Sequence, residues 1–140
     1  MAVELIEETL TRSIIGGFFE VYNTLGFGFL ENVYKIALQR ELGARGHGVA
    51  REVAVPVMYK GEEISRQRLG MIVDGKIVVE TKSSYDLHKG ARRQLFNYLK
   101  ATNMEIGLLL HFGPVARFYR EVRFNTGSNP RNPRNPFTSQ

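Results

Sequence analysis

Hydrophobic residues recur at steps of three and four along three segments of the chain, the periodicity of amphipathic helices. The pattern predicts helices over residues 3–25, 30–42 and 86–102. Glycines follow the first two segments, as is common where a helix ends. Gly16 and Gly17 fall inside the first helix, where each glycine costs about 1 kcal/mol relative to alanine. We therefore expect another element to pack closely against them.

Elsewhere the hydrophobic period is two, or the apolar run is short and continuous, as in strands. Strands are predicted over residues 49–59, 63–73, 76–83, 105–112 and 116–124. Asp74-Gly75 separates the second and third strands and is a strong hairpin signal. Pro56 predicts that the first strand lies at a sheet edge, because proline cannot donate to the ladder. This order of elements predicts one α/β domain with a mixed sheet flanked by helices.

Composition narrows the class of protein. The chain has 140 residues, 43% hydrophobic, which suits one globular domain. It has no cysteine, so a disulfide framework and a thiolate zinc site are excluded. No apolar run reaches the ~20 residues of a membrane span, and the first ten residues carry three glutamates rather than the basic start of a signal peptide. We expect a cytoplasmic protein.

The net charge of +5 favours an anionic partner, of which nucleic acid is the commonest. A mildly basic surface with no such partner is the simpler alternative.

The strongest candidate chemistry is Glu80-Thr81-Lys82 at the end of the third predicted strand. Alternate residues of a strand share a face, so Glu80 and Lys82 project from the same side. A carboxylate can hold a divalent cation, and a neighbouring lysine can orient water or stabilise charge on a phosphate. The alternative is a solvated surface pair, which is the usual role of such residues.

Four segments together resemble the GxxExxY proteins, a family of the PD-(D/E)XK nuclease-like superfamily. They are GFLENVY at 28–34, VVETK at 78–82, QLFNYLKAT at 94–102 and GLLLHF at 107–112. The resemblance implies a restriction-endonuclease-like fold over residues 1–124 and, in an active member, Mg²⁺ or Mn²⁺ as cofactor. It implies that Glu31 and Glu80 bind the metal and that Glu80, Lys82 and Gln94 are catalytic. Taken alone, Glu31 would be assigned to stabilising a helix start.

A basic set is expected to contact nucleic-acid phosphates beside this site. Arg68 matches an arginine of the family, and a basic run adjoins Gln94. The run contains Lys89, Arg92 and Arg93. A solvated helix face is the alternative for that run.

Gly70 departs from the family pattern, which has an aspartate there as the main metal ligand. Glycine offers no side-chain oxygen, and Asp74 lies about 13 Å further along an extended strand. A hairpin loop with an odd number of residues would place Arg68 and Gly70 on the face of Glu80. A two-residue turn would instead place Leu69 opposite Glu80. Asp74-Gly75 permits both.

Two functions follow. Loss of the aspartate favours a non-catalytic binding or structural module with a degenerate metal site. The alternative is a Mg²⁺-dependent nuclease that uses Glu31, Glu80, Lys82 and Gln94.

The segment 125–140 repeats Asn-Pro-Arg and suits a polyproline II conformation rather than a packed core. We expect this tail to contact a protein partner or a second copy of the chain, forming a homo-oligomer. The contact residues would be Arg131, Arg134 and Phe137.

Overall fold

Five strands form one mixed sheet in the order in which they occur along the chain. The computed structural model describes residues 7–124. The strands are β1 (Val49–Tyr59), β2 (Glu62–Val73), β3 (Ile77–Ser83), β4 (Ile106–Phe112) and β5 (Ala116–Val122). Only β3 and β4 are parallel among neighbouring pairs in this sheet. The helices are α1 (Glu8–Leu25), α2 (Glu31–Ala44) and α3 (Ala91–Thr102).

The predicted α/β fold is confirmed, and its elements follow the predicted order. Residues 3–6 of the first predicted helix lie outside the described residues. So does the 125–140 tail, with Arg131, Arg134 and Phe137. No helix within 7–124 is long and apolar enough to cross a membrane.

Each face of the sheet carries its own hydrophobic core. Helices α1 and α2 cover one face, where Phe18, Tyr34 and Leu38 pack on alternate residues of β3 and β4. Helix α3 covers the other face, where Leu95 and Leu99 pack on Val78 and Leu109. Because β3 and β4 are buried on both faces, their sequences are almost continuously apolar. A polar residue in the middle of β3 is therefore unusual.

Gly16 and Gly17 let α2 approach α1 closely, as the sequence predicted. A Cβ at Gly17 would lie 3.0 Å from Leu42 Cδ2, and one at Gly16 would lie 2.8 Å from Arg45 Nη1. The cost of glycine within a helix is thus offset by closer packing between helices.

The connection between β2 and β3 settles the register that the sequence left open. Val73 pairs with Ile77, so the connection has an odd number of residues. Asp74 and Gly75 both have positive φ, and the Lys76 N–H donates to the Val73 carbonyl at 3.0 Å. The same register aligns Gly70 with Glu80 across the two strands.

Glu52 and Gly70 lie opposite each other on β1 and β2. At this point the odd-numbered side chains of both strands change from one face of the sheet to the other. Glu52 has a positive φ of 57°. Odd-numbered residues show the change: Val49, Met71 and Val73 contact the α1–α2 core, whereas Val53, Val55 and Leu69 contact the α3 core. Beyond this point β2 no longer pairs with β3, so β1 and β2 continue as a two-stranded arm over α3.

The third helix begins at Ala91 rather than at residue 86, so that predicted boundary is wrong. Polar side chains in the preceding segment bond to nearby backbone and favour turns. The Ser84 hydroxyl donates to the Asp86 carbonyl, and His88 Nδ1 accepts from the Gly90 N–H at 3.0 Å.

Candidate active site

Glu80 is a carboxylate buried in the middle of the sheet. Only 8% of the residue is exposed, and its Oε2 accepts a hydrogen bond from the Gly70 N–H at 2.6 Å. Burial raises the pKa of Glu80, because a low-dielectric environment disfavours the charged form. The Gly70 N–H and the charges of Lys82 and Lys35 oppose that shift.

Glu31 is positioned by the loop that precedes α2. The Tyr34 ring stacks on Phe112 with 4.0 Å between centroids. The Tyr34 hydroxyl donates to the Gly26 carbonyl and accepts from the Phe29 N–H. The Ser83 hydroxyl at the end of β3 also donates to the Phe29 carbonyl at 2.6 Å. The spacing of the 28–34 motif thus has a structural cause: its tyrosine fixes the loop that leads into its glutamate.

Lys35 lies beside Glu31 on the next turn of α2. Its ammonium is 3.4 Å from Glu31 Oε2. The charge of Glu31 raises the pKa of Glu80, and those of Lys35 and Lys82 lower it. Glu31, Lys35 and Lys82 therefore all interact electrostatically with Glu80, and the four groups comprise two acidic and two basic side chains.

Gln94 lies one helical turn from Tyr98 on α3, and both line a cleft of about 1020 Å³. The other wall is the β1–β2 arm, including Val55, Val57 and Gln67. Burial and the charge of Glu80 raise the pKa of Tyr98. Tyr98 thus lines the cleft and lies within electrostatic reach of Glu80.

Gly70 occupies the position where a further carboxylate would meet Glu80. A Cβ at Gly70 would lie 3.6 Å from Glu80 Oε2 and 3.0 Å from the Val79 carbonyl oxygen. Glu80 Oε2 is instead committed to the Gly70 N–H, and Glu31 Oε2 to Lys35. Within 7–124 no three His, Asp or Glu side chains form a cluster that could hold a metal ion. This donor set does not fit Mg²⁺ or Mn²⁺, which favour several oxygen ligands.

The predicted nucleic-acid contacts lie on different elements of the fold. Arg68 is exposed and its guanidinium donates to the Glu52 carbonyl at 3.5 Å. Because β2 reverses its face at Gly70, Gln67 lines the cleft, and the alternation of side chains along the strand turns Arg68 to the other side. The contact of Arg68 with nucleic acid stays a prediction.

The basic residues beside Gln94 have separate surroundings. Arg92 forms an ion pair with Glu121 and lies 4.9 Å from the Tyr119 ring centroid. Arg93 lies over the Phe96 ring, and Lys89 is exposed in the turn before α3.

Sequence reasoning missed Lys35, Gln67 and Tyr98. Lys35 follows Glu31 by four residues, a spacing that brings side chains together on a helix, so the signal was present. Gln67 could not be found without knowledge of the reversal at Gly70.

The comparisons with known proteins agree with this architecture. Residues 8–123 match the sequence profile described as the PD-(D/E)XK nuclease superfamily. The chain belongs to that superfamily. This PD-(D/E)XK protein is similar to the crystal structure of SSO0001 with a TM-score of 0.51 and 19% identity, over 86% of this chain and 61% of that chain. That likeness supports the fold alone, and the present chain spans about three-fifths of the SSO0001 chain. A search of curated proteins found no match.

Proposed function

We propose that this protein is a PD-(D/E)XK domain of GxxExxY type that binds nucleic acid and does not hydrolyse it. The observation that carries the proposal is at Gly70. Its backbone N–H donates a hydrogen bond to the Glu80 carboxylate, and glycine has no side chain to supply a further ligand. Members of this superfamily that cut phosphodiesters use a divalent cation to stabilise charge on the phosphate. The donor set here is too poor in free carboxylate oxygens for that task.

The charges of the site suit a phosphate group better than a metal ion. Lys35 already neutralises Glu31, and burial favours the neutral form of Glu80. Lys82 is partly exposed on the same strand face and would contribute positive charge towards a backbone phosphate. Gln94 and Asn97 on the cleft wall offer neutral hydrogen-bonding groups to sugars and phosphates.

The cleft between the β1–β2 arm and α3 is the proposed binding surface. Lys60 and Lys100 lie on its two walls, and apolar residues such as Val57 and Met58 also line it. A positively charged groove is typical of surfaces that follow a nucleic-acid backbone without reading its sequence. Lys89 and Arg93 would extend this surface past the start of α3.

The test is equilibrium binding of fluorescent single- and double-stranded DNA and RNA over a range of salt concentrations. We expect at least one of them to bind with an affinity that falls steeply with salt, and Lys60→Ala with Lys82→Ala to reduce the slope of log K against log salt by about 1 to 2. Arg12→Ala is the matched control, because Arg12 lies on α1 across the sheet. Failure of all four nucleic acids to bind at low salt would overturn the proposed partner.

A cleavage assay with Mg²⁺ and Mn²⁺ tests the second half of the proposal. We expect every substrate to remain intact. Metal-dependent cleavage that is lost in Glu80→Gln would instead establish the nuclease alternative, with Glu31, Glu80, Lys82 and Gln94 as its residues.

A further inference from the structure

A serine, a histidine and an aspartate from three separate segments form a continuous hydrogen-bonded series. Ser13 Oγ on α1 lies 2.7 Å from His47 Nε2, and His47 Nδ1 lies 2.8 Å from Asp74 Oδ2. Asp74 is at the turn between β2 and β3, and its Oδ1 accepts from the Gly48 N–H at 2.7 Å. Asp74 lies at the turn, four residues of extended strand or about 13 Å beyond Gly70, which contacts Glu80, so this group is distinct from the site described above.

The contacts of Asp74 determine the role of each histidine nitrogen. The Gly48 N–H and His47 lower the pKa of Asp74, so its carboxylate is ionised at neutral pH and can only accept. His47 Nδ1 must therefore carry the proton of that hydrogen bond. In the neutral ring, Nε2 then presents its lone pair to the Ser13 hydroxyl, which donates to it.

Arg45 lies beside the serine. Its Nη1 donates to the Ser13 carbonyl at 3.4 Å, and its Nε is held by Glu41 at 2.9 Å. Gly16, one turn along α1, has no side chain, which leaves room for the guanidinium to lie across the helix. The ion pair with Glu41 fixes the guanidinium against the backbone of Ser13.

We propose that Ser13 is a nucleophile activated by His47, that Asp74 positions the histidine, and that carboxylic esters are the substrate class. A nucleophile, a base and an oriented third group in hydrogen-bond contact are the features by which such sites are recognised on unrelated folds. Ser13 and His47 are partly exposed, so an ester can reach them from solvent.

The reaction uses only these groups and water. Ser13 Oγ forms a bond to the carbonyl carbon while His47 Nε2 takes the hydroxyl proton. The bond from that carbon to the alcohol oxygen then breaks, and the departing alcohol takes the proton from His47. A water molecule next loses a proton to His47 and attacks the acyl-serine. The carboxylic acid leaves, and Ser13 recovers its proton.

The first experiment treats the full chain with a fluorophosphonate and locates the modified residue by mass spectrometry. We expect Ser13 to be labelled, and His47→Gln to reduce its labelling rate about 10²-fold or more, the usual contribution of a general base. Hydrolysis of p-nitrophenyl acetate should be slower in both His47→Gln and Ser13→Ala than in the wild-type protein. Ser65→Ala is the control, since Ser65 is on the exposed arm. Labelling of other serines at the same rate as Ser13 would overturn the proposal.

Single-cysteine variants keep the test decisive if Ser13→Ala unfolds, because the native chain has no cysteine. Ser13→Cys preserves the shape of the side chain. We expect iodoacetamide to alkylate it faster than Ser65→Cys, and addition of His47→Gln to remove the difference. Equal rates in the two cysteine variants, with the fold intact by circular dichroism, would show that the three residues only tether α1 to the two loops.

Discussion

Glu80 and Gly70 are the pair of residues on which the proposed chemistry of the candidate site depends. The sequence alone identified both positions, because a strand ending in Glu-x-Lys and a family motif converge there. The sequence could not show that the Glu80 carboxylate accepts a hydrogen bond from the Gly70 N–H, because that contact depends on how the two strands are arranged in space. The register of the hairpin, which the sequence left undecided, brought them into contact.

The raised pKa of Glu80 makes a prediction about stability and pH. The folded protein binds the Glu80 proton more tightly than the unfolded chain, so the free energy of unfolding falls as pH rises above the ordinary glutamate value of 4.5. Glu80→Gln removes this dependence and keeps an oxygen for the Gly70 N–H. We expect this variant to unfold at a higher temperature than wild type at pH 7 and to lose most of the advantage at pH 4. A lower melting temperature at pH 7 would contradict the assignment of Glu80 as a destabilised carboxylate.

Tyr34 should contribute to stability through its hydroxyl as well as its ring. Tyr34→Phe keeps the stacking on Phe112 and removes the bonds to Gly26 and Phe29. We expect a loss of about 1–3 kcal/mol in urea unfolding, because two backbone groups lose their partner. Tyr85→Phe is the control, as Tyr85 is 72% exposed. Equal stabilities for the two variants would show that the 26–30 loop does not depend on Tyr34.

At the scale of elements, strands buried on both faces were the easiest to predict. The apolar runs of β3 and β4 and the Asp74-Gly75 turn all lie where the sequence placed them. The start of α3 was placed too early, since apolar spacing cannot register local bonds such as that of His88 to Gly90. The reversal at Gly70 could not be predicted from periodicity either. An alternating pattern assumes that each set of side chains stays on the same face along the whole strand.

That reversal predicts unequal roles for two apolar residues of β2. Leu69 is 1% exposed and packs into the α3 core, whereas Ile64 on the outer arm is 63% exposed. Leu69→Ala should destabilise the protein by about 2–5 kcal/mol. Ile64→Ala should change stability by less than about 0.5 kcal/mol. Urea unfolding of both variants decides the matter, and a cost for Ile64→Ala as large as that for Leu69→Ala would mean that the arm packs differently.

At the scale of the whole molecule, the sheet brings together residues far apart in sequence. Such long-range proximity could be predicted only from the resemblance to a known family. Periodicity and turn signals gave a mixed sheet flanked by helices. They gave no reason to place Glu31, on the first turn of α2, near Glu80, whereas the family motifs did. The Ser13, His47 and Asp74 group had no comparable signal, because its members follow no recognised spacing and meet only through the packing of α1 on the loops.

The central claim is that the site does not hold a catalytic divalent cation, and calorimetric titration of the wild-type protein with Mn²⁺ tests it most directly. We predict no saturable heat for wild type. Gly70→Asp with Lys35→Met should acquire a site, because it adds a carboxylate beside Glu80 and removes the resident ammonium, although the added side chain costs about 1–3 kcal/mol of stability against the Val79 carbonyl. Saturable binding of one Mn²⁺ by wild type, lost in Glu80→Gln, would contradict the account.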